Sequence, residues 1–204
     1  MASERWAEAV IELKEAIEAN PMLTVAHYDL GQCFMALKRY PDAIKAYLGA
    51  RDAFMALTIL EQKDRLAADQ ERDDQIREMR QLLTRLRQNA SYAATMVRIE
   101  DQIRDLEAVG KKGLERQVEA PAEFSLALGS AYYRAGALDD AEREYSAAIR
   151  ARPSFGEAHN NLAVVYMLTG RLDEAKSEIG LAEKGGFKVS SELKTDLEQR
   201  MKGQ

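Results

Sequence analysis

Four stretches of the chain repeat one spacing of apolar and small residues: WAEAVIELKEAIEANP (6–21), YPDAIKAYLGARDAF (40–54), LDDAEREYSAAIRARP (138–153) and LDEAKSEIGLAEKGGF (172–187). Each sets a large residue, an alanine three on, a bulky residue four later and an alanine three after that. The quartets are Trp6/Ala9/Leu13/Ala16, Tyr40/Ala43/Tyr47/Ala50, Leu138/Ala141/Tyr145/Ala148 and Leu172/Ala175/Ile179/Ala182. Steps of three and four keep to one face of an α-helix, and alanines on that face let a second helix approach closely. Ahead of three of the stretches lie AHYDLGQCFMAL, FSLALGSAYYRAG and AHNNLAVVYMLTG, which align as Leu30-Gly31…Phe34, Leu128-Gly129…Tyr132 and Leu162-Ala163…Tyr166. The pattern predicts paired helices. No alternating Val/Ile/Thr run bounded by turn residues occurs, so the fold class is all-α.

Ala9 and Ala43 stand 34 positions apart, as do Ala141 and Ala175, and Pro21 and Pro153 close their units. On this period and these residues the chain resembles the tetratricopeptide repeat (TPR) family over roughly 1–54 and 122–187. The resemblance implies an α-solenoid of antiparallel helix pairs, with half a repeat and a full repeat in 1–54 and two more in 122–187. There are departures: the first copy has only its second helix, and the second lacks a closing proline. After the fourth copy GGF breaks the helix and SSELKTDLEQRMKG restarts one. Ser190 or Ser191 is its N-cap candidate, and Leu193 and Leu197 share one side, which suits a C-terminal capping helix over 188–204.

Residues 55–121 belong to no copy. From Ile76 the apolar positions run Ile76, Met79, Leu83, Leu86, Ala90, Ala93, a heptad seam. The phase then slips to Met96, Ile99, Ile103 and Leu106, and QNAS (88–91) holds the turn-forming residues. The prediction is an inserted long antiparallel helical hairpin, coiled-coil-like, with its tip at 88–91. Its facing pairs are Leu86–Ala93, Leu83–Met96, Met79–Ile99 and Ile76–Ile103. One uninterrupted helix forming an intermolecular coiled coil is the alternative.

Composition narrows the chemistry. With 46% apolar and 31% charged residues the chain has material for a core, and its net charge of −5 places nucleic acid behind protein as a partner. A single cysteine, Cys33, excludes an intramolecular disulfide framework and any cysteine-based zinc cluster. No apolar run is long enough to span a membrane, and MASERWAEAV has no apolar leader core, so the expectation is a soluble, cytoplasmic protein. An export signal outside this sequence would make it periplasmic. Cys33 aligns with Ala131 and Val165 and is read as a buried thiol; His27 and His159 share one slot and are read as packing residues, with no metal site. With no phosphate loop, paired-histidine motif or nucleophile elbow, the expectation is a non-enzymatic protein without cofactor or small-molecule substrate.

What remains is surface. The resemblance implies that the first helices of successive repeats line a concave groove for an extended or helical segment. Its lining positions would be Tyr28, Gln32 and Met35; Leu126, Ser130, Tyr133 and Arg134; and Asn160, Asn161, Val164 and Met167. Asn161 matches an asparagine that many grooves of the family use to hold ligand backbone. The basic set of the chaperone-tail-binding subclass is missing, since Tyr28, Glu123, Ala127 and Glu157 stand in its place. Such a groove favours an apolar or amphipathic ligand. Around the hairpin tip Arg80, Arg85, Arg87 and Arg98 form an acid-free run, read as a solvated face first, then as a contact for acidic protein, nucleic acid or anionic lipid. Trp6 and Leu13 make a candidate self-association face, with a homodimer as its product. The sequence therefore predicts a protein–protein interaction adaptor or scaffold; a self-assembling structural scaffold is the alternative, and nucleic-acid binding through the tip comes last.

Overall fold

A computed structural model describes residues 2–87, 92–110 and 120–202. Among them lie the helices α1 (Ala2–Ala19), α2 (Thr24–Ala36), α3 (Tyr40–Leu86), α4 (Ala93–Gly110), α5 (Ala122–Arg134), α6 (Leu138–Ala151), α7 (Gly156–Leu168), α8 (Leu172–Lys184) and α9 (Ser191–Lys202). The described residues contain no strand. None of these helices is long and apolar enough to cross a membrane.

The Leu-Gly positions explain how each pair closes. A Cβ on Gly31 would stand 2.4 Å from the Tyr47 ring, and one on Gly129 would stand 2.8 Å from the Tyr145 ring. The aromatic ring takes the volume that the missing side chain leaves. In the last repeat both partners change together: Ala163 replaces the glycine and Ile179 the tyrosine, within one buried cluster. The turn inside each pair ends on a left-handed residue: Lys38 (φ 57), Gly136 (φ 80) and Gly170 (φ 78). The next amide reaches back to the helix, Arg39 N–H to the Phe34 carbonyl at 2.8 Å and Arg171 N–H to Tyr166 at 2.8 Å. This is the backbone closure expected of a glycine-type helix end.

The chain divides into two compact units, Met1–Ala56 with Glu119–Gln204, and Leu57–Val118. In the first, one buried cluster joins Val10, Leu30, Phe34, Ala43 and Tyr47 to Ala127, Leu128 and Ala131. The second and third copies therefore stack as neighbours despite the residues between them. Arg51 on α3 meets Glu144 on α6 at 3.1 Å, and the Phe54 and Phe124 rings lie edge to face at 5.8 Å. At the far end Val189, Leu193, Leu197 and Met201 pack into the cluster of α8. The Leu193 amide donates to Ser190 Oγ at 3.2 Å, so of the two candidate caps Ser190 makes this bond.

The second unit holds the distal part of α3 and α4. Its core is Ile76, Leu83, Ile99 and Ile103, with Met79, Leu86, Met96 and Leu106 packed around them. This corrects the pairing expected from sequence. Leu106 completes the set and Ala93 is exposed, so each helix contributes four residues. In antiparallel order that sets Leu86 level with Met96 and Ile76 level with Leu106, three residues from the expected register. Two ion pairs flank the seam in keeping with it, Arg80–Glu107 at 2.6 Å and Arg87–Glu100 at 3.9 Å. The expected tip at 88–91 lies outside the described residues.

Candidate functional site

Within the first unit, α2, α3, α5 and the start of α7 enclose an open groove of about 480 Å³. Five residues expected from the sequence line it together: Tyr28, Gln32, Met35, Leu126 and Ser130. Its floor is aromatic. The Tyr28 ring sits 5.3 Å from that of Tyr47 and 5.6 Å from that of Phe124. Burial drives the Tyr47 hydroxyl well above the usual tyrosine range. Ser130 Oγ donates to the Leu126 carbonyl at 2.9 Å and accepts from the Tyr145 hydroxyl at 3.3 Å. Burial pushes the Tyr145 hydroxyl up to about 12, against that hydrogen bond to Ser130.

One wall comes from residues that sequence reasoning did not assign to the groove. Arg152 pairs with Glu123 at 2.9 Å and lays its guanidinium 3.5 Å over the Phe155 ring centroid. Its Nε is buried without a hydrogen-bond partner among the described residues. Arg152 and Phe155 flank Pro153 in the turn before α7, and only the closing proline marked that turn in the sequence. Glu157 lines the same groove, is exposed and forms no ion pair among the described residues. The groove can bury an apolar side chain on its rings and meet polar backbone with the exposed Gln32 amide.

The other expected residues do not line this cavity. Tyr133 packs half-buried against the cluster of Ala141, Tyr145 and Leu162, and Arg134 is exposed at the end of α5. Asn160 and Asn161 are half-buried on α7, with the Asn160 amide donating to Asn161 Oδ1 at 3.3 Å. Val164 is half-buried. Met167 is a correction: it is buried with Leu172 and Ala175 in the last repeat's core and offers no side chain to a groove. Leu13 is a second one, since it packs half-buried against the core of the first unit, while Trp6 stays 42% exposed. Of the basic run, Arg80 and Arg87 are engaged in the pairs described, and Arg85 and Arg98 are exposed without an ion pair among the described residues.

Cys33 is buried, and burial raises its thiol pKa. The two histidines hold matching loops: His27 Nε2 lies 3.0 Å from the Pro21 carbonyl and His159 Nε2 lies 3.0 Å from that of Pro153. Among the described residues no cluster of side chains could hold a metal ion.

Comparison with known proteins places the repeats. Solved structures with a similar chain course include MamA, at 18% identity over 89% of this chain and 88% of that one, with a TM-score of 0.32. PilW, a widely conserved type IV pilus biogenesis factor, matches at 16% identity over 98% of this chain and 80% of its own, with a TM-score of 0.40. YrrB, a TPR protein with an unusual peptide-binding site, matches at 15% identity over 97% and 86%, with a TM-score of 0.33. A search of the curated proteins finds no match. The family model of the tetratricopeptide repeat matches residues 1–56 and 114–184. That is more than half of the chain, it covers the four copies and leaves the hairpin out, and the protein belongs to the tetratricopeptide repeat family.

Proposed function

We propose that this protein is a non-enzymatic interaction adaptor whose groove takes an apolar or amphipathic segment of another protein. The family's general activity is binding other proteins. The observation that carries the finer reading is the convergence of Tyr28, Gln32, Met35, Leu126 and Ser130, from two helices distant in sequence, on one cavity of about 480 Å³. Aromatic and aliphatic walls with few polar groups suit side chains entering at intervals along a peptide.

The test is a selection of random peptides displayed on phage against the full chain, followed by fluorescence anisotropy on the winners. Gln32 is exposed, so Gln32→Arg blocks the groove without touching the core. It is expected to weaken selected peptides about tenfold or more, equivalent to about 1.4 kcal/mol. Gln70→Arg, on an exposed position of the other unit, serves as control and leaves binding unchanged. Peptides that bind Gln32→Arg as well as wild type would sink the reading.

A further inference from the structure

A second cleft, of about 410 Å³, opens between α1, α2 and the start of α3. Lys14, His27, Arg39 and Lys45 line it over a floor that includes Leu30 and Phe34, and it shares no lining residue with the groove. The chain supplies its own comparison, because α6–α7–α8 repeats α1–α2–α3 position for position.

In the later set, two carboxylates complete the basic groups. Glu178 Oε2 lies 2.5 Å from His159 Nδ1. Both oxygens of Glu142 lie 2.8 Å from Arg171 Nη1, and Glu174 takes the other edge of the guanidinium at 2.7 Å. In the earlier set His27 and Arg39 hold the same places, and the backbone contact of His27 is the same to 0.1 Å, 3.0 Å to a proline carbonyl. Yet Ala46 stands where Glu178 would be, and Val10 where Glu142 would be.

The consequences are local and specific. His27 Nδ1 has no hydrogen-bond partner among the described residues, and Arg39 keeps only Asp42, at 2.6 Å. Ala46 removes the side chain that fills this space in the later set, and it lines the cleft. Two serines of the later set, Ser146 and Ser177, correspond to Lys14 and Lys45, both exposed at the mouth. Glu18 runs the other way, replacing Arg150, and Asp42 is retained as the counterpart of Glu174. The charged groups around His27 are thus Lys14, Arg39 and Lys45 against Glu18 and Asp42. Around His159 they are Arg150 and Arg171 against Glu142, Glu174 and Glu178.

We propose that this cleft binds a carboxylate presented by a partner polypeptide, the side chain of a glutamate or aspartate. That group completes His27 and Arg39 from outside as Glu178 and Glu142 complete His159 and Arg171 from within. Lys14 and Lys45 draw the charge to the mouth, and Leu30 and Phe34 cover its aliphatic stem.

The chain has two histidines, so imidazole resonances of the full-length protein read the cleft at His27 and an internal control at His159. The probes are an acetylated, amidated Leu-Glu-Leu peptide, its Leu-Gln-Leu analogue and free glutarate. The glutamate peptide is expected to move the His27 resonance saturably and leave His159 in place, while the glutamine analogue moves neither. Lys14→Ala and Lys45→Ala, at exposed positions, are each expected to weaken it about tenfold. Ala46→Glu supplies the carboxylate internally and abolishes the response; should it fail to fold, Lys45→Glu is the equivalent block from the rim. No response to the glutamate peptide, or an equal response to its glutamine analogue, overturns the proposal. Glutarate binding as tightly as the peptide overturns the polypeptide assignment in favour of a free dicarboxylate.

Discussion

Arg51 and Glu144 are 93 residues apart in sequence and 3.1 Å apart in space. Their side chains are 33% and 16% exposed, so the pair is partly sheltered from water and links α3 to α6 at the junction of the second and third copies. Beside it lie the Phe54–Phe124 and Tyr28–Phe124 ring contacts. A repeat stack is held by nearest-neighbour interfaces, and this interface is complete without any residue of the inserted unit.

Replacing Leu57–Val118 by a short Gly/Ser linker is therefore expected to leave the first unit cooperatively folded. Circular dichroism should report one sharp thermal transition, within a few degrees of the parent. A broad, non-cooperative melt would place part of the stack's stability in the hairpin.

Gly31→Ala is expected to destabilise by about 1–3 kcal/mol, because its Cβ would meet the Tyr47 ring at 2.4 Å. The last repeat shows the compensation, so Gly31→Ala with Tyr47→Ile should recover much of the loss. Urea titration of the two variants measures it, and a double variant no better than the single one would refute the pairing.

Lys38 carries φ 57 where two other turns carry glycine. Lys38→Gly is expected to raise stability by about 1 kcal/mol, since the left-handed penalty outweighs the entropy glycine adds to the unfolded chain. The urea midpoint reads this directly.

Tyr145 gives the pH dependence its sign. Its hydroxyl titrates near 10.0 when unfolded and at about 12 when folded, so the folded state holds the proton more tightly. The stabilisation is complete below pH 10 and is lost as pH rises toward 12, amounting to about 2–3 kcal/mol. Tyr47 is displaced the same way and adds to the slope. Unfolding followed across this range by tyrosinate absorbance should show the fall, and Tyr145→Phe should flatten it. An unchanged slope in that variant would remove Tyr145 as its source.

The helix pairs were legible because their periodicity is local: Ala43, Tyr47 and Ala50 declare a face whatever surrounds them. The hairpin's existence was legible for the same reason, but its register was not. Ala93 and Leu106 both fit a heptad step, and only side-chain volume across the seam selects Leu106. Met167 and Leu13 resemble surface residues in their own helices, and a neighbouring helix buries them. Arg152 and Phe155 carry no periodic signal at all. They enter the groove because the turn before α7 folds back over α5, and their roles arise from tertiary packing alone.

The matched exchange of glycine with tyrosine and alanine with isoleucine also constrains how such a chain can be cut and rejoined. A crossover between α2 and α3, or between α7 and α8, would unite a ring with a methyl group or leave a hole beside a glycine. Splices that fall between pairs keep each lock with its key. The heritable module is the helix pair, and the long insertion after Ala56 follows one such pair without separating its two halves.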